Sequence, residues 1–306
     1  MRLVWRILAG IGGLLLLLLI AVAIAISTVD VKSFIGPVQK RVKDATGRDL
    51  TVGGGVDLKF SLEPKLVAQD VALSNPPGAK SPQMLMAKRV EVQFALLPLL
   101  HRDFQVRSLA LIEPSIALET DAKGVGNWDF SSSPAPAGAP KTAAPDATAT
   151  MGGFFVGDFS ISNGALTYLD GETGKLTTVT IANLGLKARD PQSPVDATFR
   201  GSVDDTAIAV DGTLGPLASL AKEQWPYPVN VKGQVKAQQV SLDTKLRAQD
   251  GTTTLDPLEF GVGKSKVTGQ LSVTTGKPRT KLTFKLASPS LALAEVAVPT
   301  KGTVLR

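Results

Sequence analysis

The chain has 306 residues, no cysteine, one histidine and a formal charge of +6. Without cysteine there is no disulfide, thiolate metal site or cysteine nucleophile, and a lone histidine leaves a metal without its second nitrogen ligand. The excess of Lys and Arg is modest and scattered along alternating segments, which describes solvated strand faces and argues against a nucleic-acid surface.

Ile7 to Ile26 is an uninterrupted run of twenty uncharged residues. As a helix rising about 1.5 Å per residue it would extend roughly 30 Å, the thickness of a bilayer's hydrocarbon core. Residues 1–29 are therefore expected to form an N-terminal membrane anchor. A cleaved signal peptide is the competing reading, with Ala21-Val22-Ala23 or Ala23-Ile24-Ala25 as the cleavage site, but the run outlasts a usual signal core and favours an uncleaved anchor. Arg2 and Arg6 precede the run while Lys32, Lys40, Arg41 and Lys43 follow it, so charge alone does not set its orientation. A short cytoplasmic tail with the remainder exported is the layout adopted.

Val31, Phe34, Ile35, Val38, Val42 and Ala45 recur at helical spacing, with Asp30 as the expected N-cap and Gly47 as the stop. Pro37 is expected to kink this amphipathic helix, dividing it into two short pieces. From Leu50 the period changes to two. Val56, Leu58, Phe60 and Leu62 alternate with polar residues, followed by Leu66 to Leu73 and by Val90, Val92 and Phe94. Ala95 to Leu100 is an apolar excursion, and strands resume from Phe104 to Ile112 and from Ile116 to Glu119, on either side of Glu113-Pro114. Several of these strands are apolar on both faces with no crossover helices to cover them. A second sheet, a partly closed fold or a bound apolar ligand would each supply the cover.

Residues 30–130 thus form a first β region, and residues 131–150, rich in Pro, Ala, Ser and Thr, form a linker or exposed loop that need not join its neighbours rigidly. Residues 151–306 form a second β region. The two regions rhyme: Leu111 to Leu118 reads like Ile161 to Tyr168, as though a hairpin unit were repeated. Four strands also share an apolar-x-Gly-x-apolar pattern around Gly201, Gly212, Gly233 and Gly269, expected to mark bulges or close backbone approach. Pro216 to Trp225 reads as a second helical stretch.

Catalytic readings fail on inventory. His101 stands alone in its segment. Gly263-Lys264-Ser265 lacks the upstream glycine of a phosphate loop, which would fall at Leu258, and Gly124-Val125-Gly126 lacks the third glycine of a dinucleotide fingerprint, which would fall at Asp129. No carboxylate pair is singled out. The expectation is a non-enzyme with no catalytic residue, cofactor or metal.

The order of anchor, basic helix and Ala45-Thr46-Gly47-Arg48-Asp49-Leu50, then Ser61-Leu62-Glu63-Pro64 and Asp70 to Asn75, resembles the N-terminal region of the AsmA family. The likeness continues through Val90 to Leu100, Arg107 to Pro114 and Gly124 to Trp128, and runs more loosely over Phe159 to Ala188. It implies a mainly β protein: a single N-terminal transmembrane helix, a short amphipathic helix, then a curved, elongated antiparallel sheet with an apolar groove. It also implies a protein of the inner membrane with its C-terminal bulk in the periplasm, contributing to outer-membrane lipid homeostasis by binding or conducting phospholipid acyl chains. Its partners would be membrane phospholipid, the inner membrane and other envelope proteins, with no nucleic acid. The alternative is a non-enzymatic envelope assembly factor acting through protein–protein contacts. Candidate groove residues are Val71, Leu73, Val90, Val92, Phe94, Leu109, Leu111, Ile116 and Leu118. Alternation fixes the face they share and leaves open whether that face lines a groove or fills a core.

Overall fold

The structure, a computed structural model, describes residues 35–59, 63–95, 106–130, 156–274, 281–290 and 292. The run Ile7–Ile26, Asp30, Phe60, Leu62, the Ala95–Leu100 excursion beyond its first residue, His101 and residues 131–150 lie outside these. Among the described residues no helix is long and apolar enough to cross a membrane.

Helix α1 spans Ile35–Thr46. Pro37 falls in the first turn of this span, where a backbone N–H has no intrahelical partner to lose, and Ile35–Thr46 is one unbroken helix; Val31 and Phe34 lie outside the described residues. Gly47, at φ +70°, ends it, its N–H donating to the carbonyl of Lys43 at 2.7 Å.

Fourteen strands follow: β1 (Leu50–Val52), β2 (Val56–Lys59), β3 (Lys65–Ser74), β4 (Gln83–Phe94), β5 (Val106–Glu119), β6 (Val156–Leu169), β7 (Leu176–Lys187), β8 (Val195–Val203), β9 (Thr206–Leu214), β10 (Tyr227–Val235), β11 (Gln238–Gln249), β12 (Thr252–Val262), β13 (Ser265–Thr274) and β14 (Lys281–Ser290). Helix α2 covers Leu217–Ala221 between β9 and β10. It is shorter than the stretch read from Pro216 to Trp225: Glu223 takes φ +51°, and a residue preceding proline, as Trp225 does, is biased toward extended backbone.

All fourteen strands belong to one long, curved, open sheet. From β3 onward each strand pairs with its chain neighbour, while β1 and β2 share the outer side of β3. At about 4.8 Å per strand the sheet is on the order of 60 Å from edge to edge. Its pairs are antiparallel except one, since β5 and β6 run parallel.

That parallel pair changes three expectations. The two β regions are not loosely joined: Val106 to Glu119 pairs with Val156 to Leu169 along the whole strand. The rhyming segments are also not two hairpins but adjacent strands in register, with Leu111 opposite Ile161, Ile116 opposite Leu166 and Leu118 opposite Tyr168. Finally, β5 passes unbroken through Glu113-Pro114. Glu113 takes φ +50° at a gap in the ladder between the pairs Arg89–Ile112 and Ala87–Pro114, and Asn163 at φ +54° occupies the same place in β6. Asp70 at φ +49° continues this line of left-handed residues into β3, and the register of β7 with β8 shifts between Ile181 and Asn183. The strands thus bend along a common seam.

The glycine repeat marks close approach. A Cβ at Gly201, Gly212, Gly233 or Gly269 would run into the carbonyl of Thr180, Asn230, Ala209 or Lys285 of a neighbouring strand.

Candidate functional site

Residues directly opposed in a ladder point to the same side of a sheet, and so do residues two apart in a regular strand. Following the pairing from β3 to β13, Leu66 stands beside Val92, then Leu109, Phe159, Leu186, Ala197, Gly212, Val231, Leu242, Phe260 and Val267. Two residues along, Ala68 stands beside Val90, Leu111, Ile161, Leu184, Phe199, Val210, Gly233, Val240 and Val262. Both rows contain only apolar residues and glycine.

The intervening positions face the other way and are mostly polar, Val67 and Ala110 being exceptions. One such row contains Lys65, Gln93, Ser108, Asp158, Lys187, Asp196, Thr213, Asn230, Asp243, Glu259 and Thr268. Cross-strand ion pairs lace this face: Lys65 with Glu91 at 2.8 Å, Arg200 with Asp211 at 2.6 Å and Lys266 with Glu259 at 2.7 Å. The hydrogen bond from Lys65 holds the Glu91 carboxyl below its ordinary range, against the opposing effect of burial, with the charges of Lys65 and Arg89 adding to it. The sheet is therefore amphipathic across its width. Two clefts, of about 610 and 380 Å³, draw their charged lining from the polar face, including Glu63, Arg107 and Asp158 in the larger and Lys232, Asp243 and Glu259 in the smaller.

Of the nine residues singled out from the sequence, Val90, Val92, Leu109 and Leu111 stand together in the apolar rows. Leu73 and Ile116 both flank Leu85 beyond the seam, Val71 pairs with Ala87, and Leu118 stands beside Tyr168. Phe94 pairs with Val106 past a register shift that separates it from the regular rows. Val71 is buried and the other eight are half-buried. Apolar residues absent from that set extend the rows much farther: Phe159, Leu184, Phe199, Leu242 and Phe260 belong equally. Their signal was the same alternation, continued beyond the Pro-rich segment.

A second feature went unread in the sequence. At the end of the sheet where β5 finishes, the buried Asn127 side chain donates to Asn75 Oδ1 at 2.7 Å and to the carbonyl of Ala117 at 2.8 Å, and its Oδ1 accepts from the N–H of Glu119 at 3.1 Å. Arg48, also buried, donates to the carbonyl of Asn127 and lies over the ring of Phe130 at 5.8 Å. The buried Glu119 carboxylate accepts the N–H of Lys80. The segments Gly47 to Leu50, Asp70 to Asn75 and Gly124 to Trp128 thus meet in one polar cluster. It is structural in its chemistry, since its hydrogen bonds are spent within the chain.

No group of three or more His, Asp or Glu among the described residues could hold a metal ion. Gly263-Lys264-Ser265 forms the tight connection from β12 to β13, with Gly263 at φ +55°.

The sequence model of the AsmA family matches residues 1–246. This chain belongs to the AsmA family. The match runs from the N-terminal segment through β10 and into β11, well past the Pro-rich segment, so it takes in the first β region and the second as far as residue 246. AsmA proteins are generally associated with the cell envelope. A comparison with the curated proteins finds no match.

Proposed function

We propose that this AsmA-family chain is anchored in the inner membrane by Ile7–Ile26 and binds or conducts phospholipid acyl chains along the apolar face of its periplasmic sheet. The observation that carries this reading is the pair of rows from β3 to β13, in which no polar side chain interrupts the path of an alkyl chain. The face continues onto β14, where Phe284 is 66% exposed, and Phe260 within the rows is 40% exposed. Sequestering two acyl chains, on the order of thirty methylenes, is worth roughly 20 kcal/mol at about 0.8 kcal/mol each, so an apolar face alone supplies the affinity. The polar face and its ion pairs then remain in water.

The test is the lipid content of the full-length protein extracted from membranes, with and without Leu109→Asp and Leu111→Asp. Loss of bound phospholipid from a variant that keeps its strand circular dichroism supports the reading. Wild-type protein free of lipid would reject it. If that variant unfolds, Phe260→Ser repeats the comparison at an exposed position.

A second reading, an assembly factor recruiting proteins through an open sheet edge, is favoured by β14. All ten of its residues are exposed, and its outer hydrogen-bonding edge pairs with no other described strand. Copurified protein in place of lipid would support it.

A further inference from the structure

The two edges of the sheet are unlike. On the outer side of β3 the edge is divided between β1 and β2, three and four residues long, and such short edge strands discourage further pairing. The other edge is β14, ten residues long and exposed throughout, whose outer side pairs with no other described strand. Its ladder to β13 is regular from Lys281 opposite Thr274 to Ala287 opposite Thr268 and shifts register beyond.

Charge and apolar surface are sorted across this strand. Leu282, Phe284 and Leu286 stand opposite Val273, Leu271 and Gly269, which follow Val267 at steps of two, so they lie on the face of the apolar rows. They are 61%, 66% and 45% exposed. Lys281 and Lys285 stand opposite Thr274 and Gln270 on the other face, and neither makes an ion pair among the described residues. The sequence from Phe260 to Ala294 holds Lys264, Lys266, Lys277, Arg279, Lys281 and Lys285 and no Asp or Glu, so this stretch carries the chain's entire formal excess of +6.

Opposite chemistry on the two sides of one strand selects the occupant. A bilayer surface laid on either face would meet the lysines or the apolar side chains, not both, and would leave the peptide groups of the edge unpaired. A second copy of β14 would bring more lysines to a face that has no carboxylate to offset them. A strand added by a partner meets the edge with its backbone and both faces with alternate side chains.

We infer that β14 seats an added strand from a partner protein in which acidic and apolar residues alternate, with carboxylates beside Lys281 and Lys285 and apolar side chains beside Leu282, Phe284 and Leu286. The inference deepens the open-edge reading above and rests on it. Such a strand widens the sheet by about 4.8 Å and leaves the rows from β3 to β13 free for acyl chains.

The test uses the full chain in detergent and synthetic peptides of equal length, with Val, Phe and Leu at alternate positions and Glu, Gln or Lys between them. Anisotropy of the labelled peptides gives the affinity, and hydrogen exchange gives the place. The Glu peptide should bind about tenfold tighter than the Gln peptide, with the Lys peptide weakest, and should slow exchange in β14 while leaving β1 to β4 unchanged. Lys281→Gln with Lys285→Gln should bring the Glu peptide down to the Gln peptide, and Phe284→Ser should weaken both. Equal binding of the Glu and Gln peptides at β14 overturns the acidic partner and leaves the open edge standing. No slowing of β14 exchange by any peptide rejects the edge and the partner together. Slowing by vesicles containing phosphatidylglycerol in place of the Glu peptide would assign the stretch to a membrane surface, and slowing with protein concentration alone would assign it to a second copy. Either result overturns the inference.

Discussion

Arg48 and Asn127, seventy-nine positions apart, are joined by a hydrogen bond of 3.2 Å from the guanidinium to the main-chain carbonyl. The bond ties the residue just past α1 to the loop after β5, and Asn127 is the better anchored partner. Asn127→Ala strips the Ala117 carbonyl and the Glu119 N–H of their partner inside a buried cluster, so a loss of about 2–4 kcal/mol is expected from urea unfolding. Arg48→Met should cost about 1 kcal/mol, because the buried Nε has no partner and the lost interactions are one hydrogen bond and a ring contact. A larger loss from the Arg48 variant than from Asn127→Ala would contradict this ordering.

Gly233→Ala tests the close approach of β9 and β10. Its Cβ would meet the carbonyl of Ala209 and lie 2.6 Å from Val210 Cα, both of them backbone. Neither can yield without moving a strand. The expected loss is about 2–3 kcal/mol, with faster hydrogen exchange concentrated in β9 and β10.

Glu91 predicts an acid-dependent term. Its carboxyl is held below the ordinary range chiefly by Lys65, so its contribution is fully present above the ordinary glutamate value, about 4.3, and fades as pH falls through the depressed folded value. Urea midpoints of wild type and Glu91→Gln should therefore differ at neutral pH and converge as the pH falls below the ordinary glutamate range. A gap that widens on acidification would reverse the assignment.

Hydrogen exchange should be fastest in β14 among the described strands. Its residues are exposed throughout, and it is paired only with β13. Protection equal to that of β5 and β6 in the isolated protein would mean that its outer edge is covered.

Phe260→Ser probes the apolar face at a part-exposed position within its rows. With 40% of it left exposed, Phe260 buries only part of its surface on folding, and the expected cost is about 1–2 kcal/mol. Binding of an environment-sensitive apolar dye by the lipid-stripped protein should fall, whereas a core residue would show the converse.

Alternation in segments such as Leu66–Leu73 and Val90–Val92 made the strands and their apolar face legible, because a period of two follows from strand geometry alone. The partner of each strand was not legible. Leu111–Leu118 and Ile161–Tyr168 announced a relationship, but a shared pattern does not say whether two segments stack, form separate hairpins or lie side by side. Glu113-Pro114 reads locally as a break, and only the neighbouring Lys88, bonded to Glu113 at 2.9 Å, and Asn163 show it to be a bend shared across strands. Arg48, Asn75, Glu119 and Asn127 look like ordinary turn and edge residues in one dimension. Their importance appears once three distant segments converge.

The parallel junction of β5 and β6 gives the molecule an unusual economy of growth. Among the described strands, each from β6 to β14 is bonded only to those just before and just after it in the chain, so a hairpin inserted or deleted there would leave every other described pairing intact. Such an assembly behaves as a nearly one-dimensional array, in which cooperativity passes from neighbour to neighbour. Evolution can adjust the span of the apolar face in steps of two strands, roughly 10 Å each, without redesigning either the polar cluster around Asn127 or the junction itself.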